Sequence, residues 1–265
     1  HFSPYNGELR PGYMLNDTGF WDTFRCLFPF LNMMYPSMND KMQEGLVNAY
    51  LECGFLPEWA SPGHRGCMVG NNSASIVVDA IMTGRKGYDK DKLWEAVLHG
   101  ANSVHPQVKS TGRDGFELYN KLGYVPCDKL SQSVARTLEY AYNDWCIYTM
   151  GKALGRPEKE IKIYAKRAMN YRNVFDPSLN LMRGKDSNGK FETPFNPTDW
   201  GRSFTEGDTW HWTWCVFHDP QGLVNLMGGR DNFIHMMDSN FIFPPEAKES
   251  MRDEAREMQV KNMRQ

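Results

Sequence analysis

The chain has 265 residues, 41% of them apolar, and a formal net charge of −2, which is typical of a globular protein with a sizeable core. This balance indicates no basic face, so nucleic acid is a poor candidate for a partner. No run of apolar residues is long enough to predict a membrane span.

The N-terminal half shows the spacing of helices. Asp17 or Thr18 can cap a first helix, which we expect Pro36 to end. Asn39 can cap a second helix, with Gly54 at its C-terminal end. The segment "LPEWASPGHRGCMVGNNS" has the composition of a loop.

The remaining segments extend the helical pattern, and the segment "ELYNKLGYVPCDKLSQS" is expected to be irregular. A loop or hairpin is expected over "GKDSNGKFETPFNPTDWGR". About seven or eight helices and no long strand alternation predict an all-α fold of paired antiparallel helices. The predicted helices are "SASIVVDAIMTG", "DKDKLWEAVLHGANSVHP", "SVARTLEYAYNDWCIYTMGKALG", "PEKEIKIYAKRAMNYRNVFDP", "DTWHWTWCVFHDPQGLVNLMGG", "RDNFIHMMDSNFIF" and the tail "PEAKESMRDEAREMQVKNMRQ".

The segment "FTEGDTWHWTWCVFHDPQG" places Glu206 in a loop before a helix that Asp208 or Thr209 can cap. One interpretation is an acid stabilised by the helix dipole. The other is a general acid, because a carboxyl desolvated by indole rings has a raised pKa. The rings that could desolvate it are those of Trp210, Trp212 and Trp214.

Two further clusters suit sugar recognition. In "GFWDTFR", Trp21 can stack on a sugar while Asp22 accepts hydroxyl hydrogen bonds; alternatively Asp22 pairs with Arg25 in the first turn. His64 and Arg65 lie in a Gly-flanked loop that suits polyols, or is simply polar.

Other candidate residues favour structural roles. Glu139 lies inside a predicted helix, where we expect it to be buried and paired. His211 and His218 form at most a weak metal-binding pattern. No close CxxC pair predicts zinc, so we expect buried thiols at Cys26, Cys53, Cys67, Cys127, Cys146 and Cys215.

Ordered segments such as "GFWDTFRCLFPF", "GHRGCMVGNNSASIVVDA", "SVARTLEYAYNDW" and "TEGDTWHWTWCVFHDPQGLVNLMGG" resemble glycoside hydrolase family 92. The resemblance implies a calcium-dependent, inverting exo-α-mannosidase with an N-terminal β-sandwich and a C-terminal (α/α)6 barrel. It implies that Glu206 is the general acid and that Trp21 and Asp22 grip the terminal mannose. His64 and Arg65 would line the same subsite, and Trp210 belongs to the aromatic wall that would hold the sugar.

The resemblance covers part of such an enzyme. We expect residues 1–265 to be a partial (α/α)6 catalytic domain, without the β-sandwich or the end of the barrel. The first residues, "HFSPYNGELR", show neither an initiator Met nor a signal peptide, so we expect a piece of a longer precursor or a mature product. The general base and most calcium ligands are then expected outside this chain, and its own metal ligands stay unassigned.

The implied activity is hydrolysis of terminal α-mannosides, α-1,2-mannosidase-like, as in N-glycan or mannan trimming. The implied partners are a mannose-containing oligosaccharide and the remaining segments of the same enzyme. A periplasmic, cell-surface or secreted bacterial location is implied as well. The alternatives are an inactive or carbohydrate-binding helical fragment and another inverting (α/α)6 glycosidase.

Overall fold

The computed structural model describes residues 1–242 and divides the chain into two compact units. Unit 1 comprises His1–Glu117 and Glu139–Met169; unit 2 comprises Leu118–Leu138 and the described part of Asn170–Gln265. Within the described residues, regular structure is almost entirely helical, which confirms the predicted all-α class. The predicted C-terminal tail helix lies outside the described residues.

Eleven α-helices and four two-residue strands are present in the described part of the chain. The helices are α1 Phe20–Thr23, α2 Leu27–Met34, α3 Pro36–Cys53, α4 Ser73–Met82, α5 Lys90–Ala101, α6 Phe116–Leu122, α7 Ser133–Ala153, α8 Glu158–Arg167, α9 Thr209–Trp212, α10 Pro220–Leu226 and α11 Arg230–Ile242. A 3-10 helix, Ala168–Val174, follows α8. The strands are β1 Thr18–Gly19, β2 Trp59–Ala60, β3 Phe175–Asp176 and β4 Leu181–Met182.

The predicted start of the first helix was wrong. Thr18 belongs to β1, which pairs antiparallel with β2, and Asp17 has a φ of 52° outside the helix. The pairing draws this backbone into an extended ladder, so α1 begins at Phe20 with Gly19 as its N-cap and no side-chain cap. Gly19 is required there, because a Cβ on it would lie 2.0 Å from Trp59 Nε1.

Helix α3 also differs from its prediction at its N-terminal end. Pro36 is the first residue of α3 instead of the residue that stops the preceding helix, as expected from its fixed φ and missing N–H. Asn39 is therefore inside α3, where it is fully buried and donates a hydrogen bond to Asn32. The predicted C-cap at Gly54 is confirmed, with a φ of 80° and its N–H on the Tyr50 carbonyl.

Several other predicted elements are confirmed, but one helix was missed, and the helix predicted over residues 208–229 is divided into the short helices α9 and α10. Helices α4, α5, α7 and α8 lie within the segments that the periodicity predicted. Helix α6 was missed, because the sequence indicated an irregular segment there. Asp208 caps α9 as predicted, through hydrogen bonds from Trp210 N and His211 N at 2.9 and 3.3 Å.

The core of unit 1 is an apolar cluster from α1 to α5, the unit 1 part of α7, and α8. Fully buried members include Phe20, Leu46, Val77, Leu93 and Ile147. Burying side chains of this size stabilises the fold by about 1.5–3 kcal/mol each, before the loss of chain entropy. This packing fixes the helices that carry the polar groups described below.

A buried polar network ties the Gly-rich loop before α4 to the rest of unit 1. Arg113 is fully buried and donates to Asp144 Oδ1 at 2.7 Å and to Asn71 Oδ1 at 2.5 Å. Asn143 Oδ1 accepts from the Asn71 backbone N–H at 2.6 Å. Because each buried charge is paired and hydrogen-bonded, these contacts fix the loop before α4 from inside the unit.

The cysteines are thiols, not disulfides, as expected, but their predicted burial holds fully only for Cys146. Cys26 is exposed and the other four are half-buried. Among the described residues, no helix is both long and apolar enough to cross a membrane.

Candidate active site

Glu206 lies at the tip of a tight loop in unit 2. The Gly201 N–H donates to the Gly207 carbonyl at 2.8 Å, and this hydrogen bond closes the loop around residues 202–206. Thr205 and Gly207 are buried on either side, whereas the side chain of Glu206 is exposed. Glu206 has a φ of 45°, in the left-handed region that non-glycine residues seldom occupy. The loop therefore turns one carboxyl outward at the cost of local backbone strain.

The same loop is fastened to the N-terminus of α7 within unit 2. The Ser203 carbonyl accepts hydrogen bonds from Val134 N at 2.9 Å and Ala135 N at 3.2 Å. The Arg202 carbonyl accepts from Gln132 N at 2.6 Å. Helix N-termini offer unpaired N–H groups, and here backbone carbonyls of the loop satisfy them.

The aromatic wall predicted around Glu206 is mostly part of the core. Trp210 and Trp212 are 6% and 3% exposed, and Trp214 packs edge-on against Phe233 with ring centroids 5.7 Å apart. Trp212 Nε1 donates to the Thr205 carbonyl at 2.8 Å, next to Glu206. The expected desolvation of Glu206 by indole rings was thus wrong for the described structure, because Glu206 is exposed. Sugar contact by Trp210 stays a prediction.

Asp208 and His211 form a capping pair beside the loop. His211 Nδ1 lies 2.8 Å from Asp208 Oδ1 and 3.2 Å from Asp208 N, and Asp208 is fully buried. Trp200 packs edge-on against the His211 ring at 5.6 Å. His211 is therefore engaged as part of a capping box on α9, and His218 lies outside that helix, in the turn before α10.

In unit 1, Trp21 and Asp22 form the first turn of α1. Trp21 Nε1 donates to Glu139 Oε1 at 3.0 Å, and the Arg25 guanidinium stacks on the Trp21 ring, 4.3 Å from its centroid. Arg25 Nη2 also lies 3.8 Å from Glu139 Oε1. The alternative in which Asp22 pairs with Arg25 is therefore not observed: Asp22 is exposed and makes no ion pair with any described residue.

The loop that carries His64 and Arg65 lies next to α1 through the β1–β2 pairing. Ala60 bridges to His64, and the Arg65 N–H donates to the Trp59 carbonyl at 2.9 Å. The Arg65 guanidinium stacks on the Trp59 ring at 4.9 Å. The structure thus brings both predicted sugar-binding segments of unit 1 together, with two Arg–Trp stacks on adjoining backbone.

His64 itself is held within unit 1 by neighbouring side chains. Its Nε2 lies 3.1 Å from Cys53 Sγ, and its ring lies 5.1 Å from the Tyr5 ring and 4.8 Å from the His105 ring. Burial, with a smaller contribution from His105, lowers the pKa of His64 to about 4. His64 is therefore neutral near pH 7, and its role in sugar binding stays a prediction.

Glu139 and Glu58 are buried carboxyls that the sequence did not assign to function. Burial raises the pKa of Glu139 to about 7, against the opposing effects of Arg25, Asn72 and Trp21. Burial raises the pKa of Glu58 to about 8, although Ser73 donates to it from both N and Oγ. The prediction that Glu139 is buried and paired is confirmed.

Local pattern could not reveal these partners, since Glu139 contacts Trp21 across 118 residues of sequence. Trp59 was also missed as a partner of Arg65. The available signal was a tryptophan in a loop rich in Pro and Gly, immediately before "ASPGHRG".

The calcium that the family resemblance implies would need a cluster of ligating side chains. Within residues 1–242, no three His, Cys, Asp or Glu side chains come together so that they could hold a metal ion. These residues therefore do not form such a centre by themselves, and we assign no step of the reaction to calcium. Calcium dependence stays a prediction.

The chain is similar in sequence and structure to parts of known mannosidases. A family GH92 inverting mannosidase from Bacteroides thetaiotaomicron VPI-5482 is 46% identical, with a TM-score of 0.89, over 99% of this chain and 36% of that one. A GH92 α-mannosidase from Bacteroides thetaiotaomicron is 36% identical, with a TM-score of 0.79, over 88% of this chain and 31% of that one. These likenesses support the predicted (α/α)6 type of fold.

A more distant relative is a protein of Arthroderma benhamiae named an uncharacterized secreted glycosidase. It is 28% identical over 75% of this chain and 30% of its own length. The chain therefore spans about a third of the length of the relatives it matches. The model of the glycosyl hydrolase family 92 catalytic domain matches residues 1–265 in full, and the chain belongs to this family.

Proposed function

We propose that this chain supplies the general acid and part of the sugar site of an inverting exo-α-mannosidase that includes further segments. The observation that carries the proposal is the Glu206 loop, in which hydrogen bonds hold a single exposed carboxyl in a left-handed backbone conformation. The mannosidase names of two relatives at 46% and 36% identity support the substrate class.

In this reaction Glu206 donates its proton to the glycosidic oxygen as the bond to the anomeric carbon breaks. Water attacks that carbon from the opposite face, and a second carboxylate takes the water proton. Inverting glycosidases place the two carboxyls roughly 6.5–9.5 Å apart to leave room for this water. We place the second carboxylate outside the chain, in a segment that completes the enzyme.

Trp21 and Asp22 are proposed to bind the terminal mannose. An indole ring stacks on the apolar face of a sugar, and a carboxylate without a protein partner can accept hydrogen bonds from two hydroxyls. Asp22 is exposed and has no ion-pair partner among the described residues, which leaves its oxygens available to ligand hydroxyls. Arg65, exposed and stacked on Trp59, is proposed to line the same subsite.

The proposed location is outside the cytoplasm, supported by the secreted glycosidase from Arthroderma benhamiae. The bacterial source, the linkage preference and a role in N-glycan or mannan trimming stay predictions.

The deciding experiment is Glu206→Gln in the enzyme that contains this chain. Loss of a general acid lowers turnover of an alkyl α-mannoside by about 10²–10⁴-fold. A substrate with an activated phenolate leaving group needs little protonation, so its turnover should fall far less. Asp231→Asn, an exposed acid at the start of α11, serves as the matched control.

Two outcomes would contradict the assignment. Equal losses on both substrates would remove Glu206 as the acid. A wild-type protein that binds α-mannosides but does not hydrolyse them would favour the alternative of a carbohydrate-binding protein.

A further inference from the structure

Helix α7 places the buried carboxyl of Glu139 against Trp21, whose ring is proposed to stack on mannose. Glu139 is 1% exposed, and its Oε1 accepts a hydrogen bond from Trp21 Nε1 and lies 3.8 Å from Arg25 Nη2. Arg25 in turn stacks on the face of the Trp21 ring, 4.3 Å from its centroid. One carboxyl thus contacts the edge of the indole and the cation that covers one of its faces.

The backbone around Glu139 leaves it little freedom to move. Gly70 has a φ of 96°, and a Cβ on it would lie 2.9 Å from Glu139 Cβ and 3.2 Å from Glu139 Oε2. The loop that carries Gly70 is itself held by the Arg113 network, through Asn71. Glu139 is therefore held by its own helix and by a loop packed against it.

We propose that Glu139 is a positioning residue, which fixes the ring plane of Trp21 and the guanidinium of Arg25 for mannose binding. This inference rests on the proposed function and adds a residue to it. A ring held at its edge and on one face keeps its other face in a fixed orientation. Binding then does not have to immobilise the ring, which removes part of the entropy cost of association.

The ionisation of Glu139 should affect this arrangement near neutral pH. Burial raises its pKa to about 7, while Arg25, Asn72 and Trp21 favour the charged form. The other titratable groups near it are Tyr142 and Cys146 on α7, and burial raises the pKa of both; that of Cys146 reaches about 12. Neither changes charge near pH 7. Burial raises the pKa of Glu58 to about 8, and its backbone carbonyl accepts a hydrogen bond from Phe20 N, so Glu58 also changes charge in this range beside Trp21. A transition that persists in Glu58→Gln and is lost in Glu139→Gln belongs to Glu139.

The first measurement needs no sugar. The indole N–H signal of Trp21, assigned by its disappearance in Trp21→Phe, is followed by NMR from about pH 5 to about pH 9. We expect it to shift with a midpoint near pH 7 in the wild type and to stop titrating in Glu139→Gln. The Gln side chain keeps an oxygen that can accept the hydrogen bond from Trp21, but it has no negative charge to attract Arg25.

The second measurement is the affinity for methyl α-mannoside. Loss of the hydrogen bond and the ion pair in Glu139→Leu should raise the Kd or KM by about fivefold to tenfold, with a smaller change in kcat. The Kd or KM of Glu139→Gln should lie between that of the wild type and that of Glu139→Leu. If the Leu variant fails to fold, the Gln variant decides the question. Glu58→Gln is the matched control, because Glu58 is also buried in unit 1 but contacts Ser73.

The two proposals fail in different ways. A Trp21 indole signal that is the same in wild type and Glu139→Gln at every pH overturns the positioning role alone. Equal losses of mannose affinity in Glu58→Gln and Glu139→Gln would also overturn it, by revealing a general effect on folding. A wild-type protein that neither binds nor hydrolyses α-mannosides overturns the proposed function.

Discussion

Trp212 donates its indole N–H to the carbonyl of Thr205 at 2.8 Å, so a buried ring holds the residue immediately before Glu206. The donor comes from α9 and the acceptor from the loop that α9 follows. This hydrogen bond links the position of the proposed acid to a helix capped by Asp208.

Trp212→Phe should weaken that link while keeping most of the buried ring. We expect the free energy of unfolding to fall by about 0.5–1.5 kcal/mol, the net contribution of one hydrogen bond, plus a further loss for the unpaired carbonyl. Turnover of an α-mannoside should fall as well, since Glu206 is less well placed. Trp214→Phe is the control, because Trp214 Nε1 has no hydrogen-bond partner among the described residues. Equal turnover in the two variants would show that the Thr205 contact does not position the acid.

The left-handed backbone at Glu206 predicts an unusual stability ranking at that position. Its φ of 45° is unfavourable for a residue with a Cβ by about 1–2 kcal/mol, a cost that glycine avoids. Glu206→Gly should therefore unfold at a higher denaturant concentration than Glu206→Ala, although glycine usually destabilises a folded chain. Both variants should lose mannoside hydrolysis. Chemical denaturation of the pair tests this ranking, and greater stability of the Ala variant would contradict it.

Glu58 should make stability fall as the pH rises. Burial raises its pKa from the ordinary 4.5 to about 8, so the folded protein keeps a proton that the unfolded chain releases. This contribution is fully present below about pH 4.5 and is lost as the pH rises to 8. The slope is about 1.4 kcal/mol per pH unit at most. The free energy of unfolding of Glu58→Gln, subtracted from that of the wild type, should show this fall; parallel curves would contradict it.

His64 should have the opposite effect at lower pH. Burial and the neighbouring His105 lower its pKa from 6.5 to about 4, so the unfolded chain binds a proton that the folded protein excludes. The contribution is present above pH 6.5 and is lost as the pH falls to 4. His64→Phe should remove this acid sensitivity while keeping a ring beside Tyr5. Urea unfolding at several pH values tests it, with His235→Gln, an exposed position on α11, as the control.

The sequence predicted where Glu206 lies better than it predicted its surroundings. Gly207 and a capping Asp208 are local signals, and both a loop and a capped helix are present there. Where the tryptophan side chains point depends on the length of α9, which ends at Trp212 after one turn. Trp214 is therefore outside the helix, and the expected aromatic wall is divided between the core and a contact with Phe233.

Long-range pairing explains the remaining errors. Thr18 and Asp17 have the chemistry of helix caps, but the pairing of β1 with a strand some forty residues on, Thr18↔Ala60, takes that backbone instead. The Glu139–Trp21 contact spans 118 positions and leaves no local signature. Helix periodicity reports which face of a helix is buried, and it carries no information on which distant side chain that face will contact.

The closed loop between Gly201 and Gly207 bears on when the proposed acid becomes ordered. Its hydrogen bonds are internal to the folded chain, so the conformational entropy of the Glu206 backbone is lost during folding. Because the Glu206 backbone is already ordered in the folded protein, binding of substrate does not have to order it. The barrier to turnover should then be largely enthalpic, and an Eyring plot of kcat should give an activation entropy close to zero. Loosening the loop, as in Trp212→Phe, should make that activation entropy more negative.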